Sequence, residues 1–257
     1  MKLKELINWT VTIVMASAVL GGLHVPPTFA QGCPELNGQW SYGLAYAVAV
    51  SGDFAYFGNG TVLQIANISD PTAPQVVGEI RLPGIVNGIT VFNNFAFVAA
   101  DEAGLRVIDV TNFASPTEVG FIDTGGIARD VAVSDGYAFL ADDTAGLRVL
   151  DISTPQTPTE TGFIDTPGKA KGVALLADFA YVADHDHGLR VIDIRAPDSP
   201  IEVGATNTTG LARGIAVTDG YAFVADDSSG LWVIDIGTPS SPTGVGHVNT
   251  PGYSKDV

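Results

Sequence analysis

An all-β fold of the β-propeller class, with four-stranded blades on a 42-residue repeat, follows from three observations. The phrase GLRVIDV at residues 104–110 returns as GLRVLDI at 146–152, GLRVIDI at 188–194 and GLWVIDI at 230–236, each copy 42 residues after the last. Each interval holds four short runs with the alternation of a strand, separated by breaks rich in Gly, Pro and Asp. The second run of every interval sets aromatic residues on one face and alanine on the other. Four strands in a unit of this length make a propeller blade, whereas the coils of a linear β-solenoid are shorter.

Along the chain, residues 1–30 read as a signal peptide. Lys2 and Lys4 precede the apolar stretch INWTVTIVMASAVLGGL, and Thr28 and Ala30 occupy the −3 and −1 positions of a cleavage site after Ala30. The stretch is too short and poorly flanked for a membrane span, so no stable insertion is expected after cleavage. Residues 31–257 then form one β-propeller domain. Its only cysteine, Cys33, leaves no internal disulfide. The preceding AQG lacks the aliphatic residue of a lipid-attachment signal, so a lipid anchor is not expected. ELNGQW at 35–40 aligns with EVGFID at 118–123 and reads as an outer strand that completes the last blade on ring closure.

Five near-complete units follow, the first of them the weakest. It contains TVLQIANISDPTAP at 61–74, with Leu63 lying 42 residues before Leu105 and Gln64, Ala66 and Asn67 departing from the later phrase. Residues 129–170 show the unit clearly. RDVAVSD is a strand, and the SDG turn reverses it into GYAFLAD. GLRVLDI is the third strand, STPQTP breaks it, and TETGFIDT is a more polar fourth strand suited to an edge. The second-strand pairs Phe54/Tyr56, Phe95/Phe97, Tyr137/Phe139, Phe179/Tyr181 and Tyr221/Phe223 enclose Ala55, Ala96, Ala138, Ala180 and Ala222. The bulky face of one blade is thus expected to fill the shallow face of the next, each fully buried aromatic contributing ~1.5–3 kcal/mol. No stretch beyond residue 30 has helical periodicity over eleven or more residues. KDV at 255–257 aligns with RDV at 129–131, inside an inner strand. The expectation is a fragment of a ring of six or more blades, with a five-bladed ring closed early as the alternative.

Hydrophobic residues make up 46% of the chain, enough for a sizeable core, and the net charge is −16. That balance disfavours binding to nucleic-acid phosphates or to anionic lipid. It fits a soluble protein kept apart by its own charge.

The phrase GLRVIDV with its following SP and EVG, and ARDVAVSDGYAFLADD, resembles the LVIVD-repeat family of exported and surface proteins, over residues 44–257. The resemblance implies a β-propeller and no established activity.

Asp109, Asp151, Asp193 and Asp235, with Asn67, recur at the exit of the third strand, where a side-chain oxygen can cap the turn. They are read as architecture. Arg129, Lys171, Arg213 and Lys255, with Asn87, open the inner strands and are expected to ring one mouth of the channel. The turn between second and third strands lies at the same mouth and brings Asp101, Asp142, Asp143, Asp184, Asp226 and Asp227. Pairing of these charges with one another is the first expectation. The functional reading is a ligand-binding mouth of Arg129, Lys171, Arg213, Lys255, Asp142, Asp184 and Asp226, with Trp232 replacing the arginine of the phrase. DHDHG at 184–188 breaks the repeat, and Asp184, His185, Asp186 and His187 carry donors of the type that ligates a divalent transition metal, although a solvated loop is the plainer reading.

There is no phosphate loop, nucleophile elbow, zinc-protease motif or calcium loop, and no residue is assigned a catalytic role. No cofactor is required. The function expected is a non-catalytic binding or scaffold module, secreted, periplasmic or at the cell surface, with a protein or glycan partner at one face. The alternatives are a hydrolase or lyase acting at the channel mouth, or a metal-binding propeller, since a fold of this kind hosts both tasks.

Overall fold

The computed structural model describes residues 44–257; the signal-peptide, Cys33 and ELNGQW readings fall outside the described residues. The described residues form twenty strands and no helix, arranged as five four-stranded sheets. Blade one comprises β1 (Val48–Ser51), β2 (Phe54–Asn59), β3 (Val62–Asn67) and β4 (Gln75–Arg81). Blade two comprises β5 (Gly88–Phe92), β6 (Phe95–Ala99), β7 (Leu105–Asp109) and β8 (Thr117–Ile122). Blade three comprises β9 (Asp130–Ser134), β10 (Tyr137–Ala141), β11 (Leu147–Asp151) and β12 (Thr159–Ile164). Blade four comprises β13 (Gly172–Leu176), β14 (Phe179–Ala183), β15 (Leu189–Asp193) and β16 (Ile201–Thr206). Blade five comprises β17 (Gly214–Thr218), β18 (Tyr221–Ala225), β19 (Leu231–Asp235) and β20 (Thr243–Val248).

Every sheet is an antiparallel meander in chain order, as short connections require. In blade three the first hairpin turns at Asp135 and Gly136, with φ of 50° and 81°. Positive φ at both central residues matches the right-handed twist of the flanking strands. The fourth strand joins the third through a bulge, repeated in each blade; in blade three it falls between Val149 and Leu150. Half of the residues of β12 are exposed, as expected of an edge.

Blades pack as the alternation predicts. Phe97, Ala99, Leu105 and Val107 of blade two meet Val131, Ala138, Leu140 and Leu150 of blade three. Phe139, Ala141 and Leu147 of blade three meet Val173, Ala180 and Val182 of blade four in the same manner. The two aromatics of each pair differ, however. Phe97, Phe139 and Tyr181 are 1–2% exposed, whereas Phe95, Tyr137 and Phe179 are only half-buried. The inner aromatic sits in mid-strand, while its partner opens the second strand beside the first hairpin and stays in reach of water.

Contacts between blades also shape the outer strands. A Cβ at Gly120 would overlap the carbonyl oxygen of Pro155, in the turn after β11. Glycine there lets the turn of blade three lie on β8, and Gly78, Gly162 and Gly204 meet Phe113, Pro197 and Pro239 in the same way.

Candidate functional site

The five recurrent residues at the third-strand exits are turn caps. The side-chain oxygens of Asp109, Asp151, Asp193 and Asp235 accept from the backbone N–H two residues on, and Asn67 does the same with Ser69. At Asp109 and Asp151 the hydroxyl of Thr111 or Ser153, and then that residue's backbone N–H, hold the carboxyl below its ordinary range.

The second strand runs into a turn whose first two residues have different partners. Asp142, Asp184 and Asp226, expected in the ligand-binding mouth, are completely buried. Asp184 accepts 2.6 Å from the Thr166 hydroxyl and 2.9 Å from the Gly168 N–H, with Arg190 Nε at 3.6 Å. Asp226 accepts from Thr208 at 2.5 Å and from the Gly210 N–H at 2.7 Å. Asp142 lies 4.0 Å from Arg148 Nε. Burial pushes all three carboxyls up, against these hydrogen bonds and charges. Asp184 and Asp226 pin the segment that leads into their own blade, and all three carboxyls are closed off from solvent.

The next residue in each turn lies against the basic positions that open the inner strands, and in three blades it pairs with them. Asp101, Asp143, His185 and Asp227 have φ of 54°, 51°, 51° and 51°, and each forms an isolated bridge to the residue just before the next basic position. Here the expected pairing of basic and acidic residues is found. Arg129 Nε lies 3.0 Å from Asp143 and its Nη1 lies 3.6 Å from Asp101. Lys171 Nζ bonds Asp143 at 2.5 Å, and Arg213 pairs with Asp227. Asn87 substitutes a neutral donor, 3.3 Å from Asp101. Burial alone would raise Asp143, but hydrogen bonds from Lys171 and Arg129 more than offset it and hold the carboxyl low. Burial pulls Lys171 down, against the bond to Asp143. Lys255 has no partner in this set.

The metal-type residues divide. Asp184 is committed to Thr166 and Gly168, as above. Exposed Asp186 takes His185 Nδ1 at 3.5 Å and His187 Nδ1 at 3.3 Å. Among the described residues, no group of three or more His, Cys, Asp or Glu is placed to hold a metal ion.

Trp232 packs against the core between blades four and five and lies over Gly244, where a Cβ would approach Cζ3 to 2.9 Å. Its ring centroid is 4.9 Å from that of His247. In blade three the corresponding residues are Arg148, Glu160 and Phe163, with the guanidinium 3.7 Å from the carboxylate and 4.6 Å from the ring centroid. Trp, Gly and His thus replace Arg, Glu and Phe together, exchanging a cation–π contact for a ring–ring one.

Two features escaped the sequence reading. The acid that meets the basic positions is the second residue of each Asp pair, its side chain 6% exposed at Asp143 and Asp227; the need for positive φ at that position is a signal the one-letter pattern carries only weakly. The other is Asp130, half-buried on the inner strand. Its carboxylate accepts from the N–H groups of Val131 at 2.9 Å and Val173 at 3.0 Å. Burial outweighs those bonds, Asp256 adds negative charge, and the pKa is pushed up to about 6.

Comparison with known families finds five consecutive matches to the LVIVD repeat, at residues 42–81, 83–124, 125–166, 167–208 and 209–250. Among solved structures the chain is similar to the computationally designed Ika8 protein, with 12% identity and a TM-score of 0.61. The likeness covers 82% of this chain and 63% of that one. At that identity it bears on the fold alone. No curated protein matches.

Proposed function

The chain belongs to the LVIVD-repeat family, and from that premise we propose that it is an exported, non-catalytic propeller module that binds a protein or glycan partner at the cell surface or outside the cell. The observation that carries the reading is the mouth. Arg129, Lys171 and Arg213 cluster there with Asp101, Asp143 and Asp227 on a chain whose net charge is −16. Charges gathered at one face of a rigid scaffold give a partner both steering and register. Export rests on the signal-peptide reading of residues 1–30.

The test is binding of the purified chain to a glycan array and to an extract of surface proteins, with Lys171→Glu/Arg213→Glu alongside. A ligand retained by the wild type and lost by the double variant supports the mouth as the binding face. A ligand held equally by both overturns it. Turnover of any arrayed glycan would overturn the non-catalytic assignment.

A further inference from the structure

The charge pattern of the mouth is interrupted at one blade. Asp143 is bonded by Arg129, which lies 14 residues before it, and by Lys171, which lies 28 after it. His185 stands in the same relation to Lys171 and Arg213. Its backbone is also equivalent: φ is 51°, as at Asp143, and its N–H and C=O bond Ala212 as those of Asp143 bond Ala170. Its side chain is different. The imidazole turns to Asp186 on its own loop and supplies no carboxylate to its neighbours.

The consequence falls on two cations. Arg129 has acids on both sides, Asp101 and Asp143. Lys171 has only Asp143, and Arg213 only Asp227. Exposed Lys169 adds a third positive charge close enough to act on Lys171. The side chains of Lys171, His185 and Arg213 are 15%, 21% and 35% exposed, so the gap is recessed yet open to solvent.

We propose that this gap, at blade four of the mouth, is a binding site for the carboxylate of an acidic sugar, held between Lys171 and Arg213 where the repeat would place its own aspartate. The inference rests on the binding-module reading and narrows its ligand. A guanidinium and an ammonium around one carboxylate give charge-assisted hydrogen bonds, the strong kind, in a partly desolvated recess. Asp186, 59% exposed beside the site, favours a sugar over an acidic peptide. It accepts hydrogen bonds from hydroxyls and repels further carboxylates.

The experiment is calorimetric titration of the full chain with glucuronate, with glucose and with an acidic hexapeptide, for the wild type and for His185→Asp. The variant carries the residue that the neighbouring turns hold at the same φ, so it is expected to fold. Glucuronate is expected to bind the wild type, glucose to give no measurable binding, and His185→Asp to weaken glucuronate at least tenfold, because the introduced carboxylate occupies the gap. Equal glucuronate affinity in wild type and variant overturns the inference, as does binding of glucose equal to that of glucuronate. Preference for the hexapeptide overturns the sugar assignment. An uncharged glycan or a protein that binds the mouth irrespective of His185 overturns this site while leaving the binding-module reading intact.

Discussion

Asp130 occupies an inner-strand position that is glycine in three other blades, at Gly88, Gly172 and Gly214. A Cβ on Gly88 would come within 2.6 Å of the Asp130 Cα, so successive inner strands touch closely at this level. Asp130 is accommodated because its carboxylate reaches along the next strand to the Val173 N–H. Enclosure there raises its pKa to about 6. The native state therefore binds this proton more tightly than the unfolded chain does, whose aspartates titrate near 3.9. Between those values the folded protein holds more protons, so this group's effect lowers stability as pH rises from about 4 to about 6 and is constant above. Asp130→Asn removes the titration and keeps an acceptor for one of the two N–H groups, a loss that does not vary with pH. Chemical denaturation across pH 4–7 is expected to show the variant gaining on the wild type by on the order of 1–3 kcal/mol, the lower end reflecting the water that reaches the side chain. Parallel pH profiles for the two proteins would refute the raised pKa.

Strands and turns were largely legible, because a fixed period multiplies each weak local signal. The tight first hairpin, the polar fourth strand and the alternation of an aromatic with alanine, as at Phe139 and Ala138, each recur in several units, and the sheets follow them. The choice between Asp142 and Asp143 was not legible. Adjacent identical side chains diverge through backbone φ and the packing of Thr124 and Gly126 from the segment before β9, which are tertiary facts. The contact between blades through Gly120 was likewise hidden, since glycine in an outer strand reads equally as a tolerated weak point. Its role leads to a paired test. Gly120→Ala drives a methyl into the backbone carbonyl of Pro155 and is expected to cost about 2–4 kcal/mol in urea denaturation. Gly246 is the equivalent residue of blade five, and there a Cβ would sit 3.5 Å from Val233 Cβ, an ordinary contact. Gly246→Ala is expected to stay within about 1 kcal/mol of the wild type. Similar costs at both positions would mean that local strand geometry, not the approach of the next turn, requires the glycine.

Across the whole described region the core is a series of seams and not one centre. Buried clusters lie between blades one and two, two and three, three and four, and four and five. Each blade contributes one face to the seam before it and the other to the seam after it, so stability is expected to behave as a sum of blade and nearest-neighbour terms. That arrangement explains why the repeated phrase carries architecture while the departures from it, His185 and Trp232, carry whatever is particular to one blade. It also fixes how damage spreads. Tyr181, 2% exposed, fills the seam between blades four and five. Truncation of a large buried aromatic costs about 3–5 kcal/mol. In a sum of neighbour terms most of that loss falls on the seam that is cut. Tyr181→Ala is therefore expected to accelerate amide exchange in β13–β20 by at least a hundredfold, while the amides of β2, β3, β6 and β7 change much less. Exchange measured strand by strand decides the matter: a uniform acceleration from β2 to β19 would mean that the blades unfold as one cooperative body.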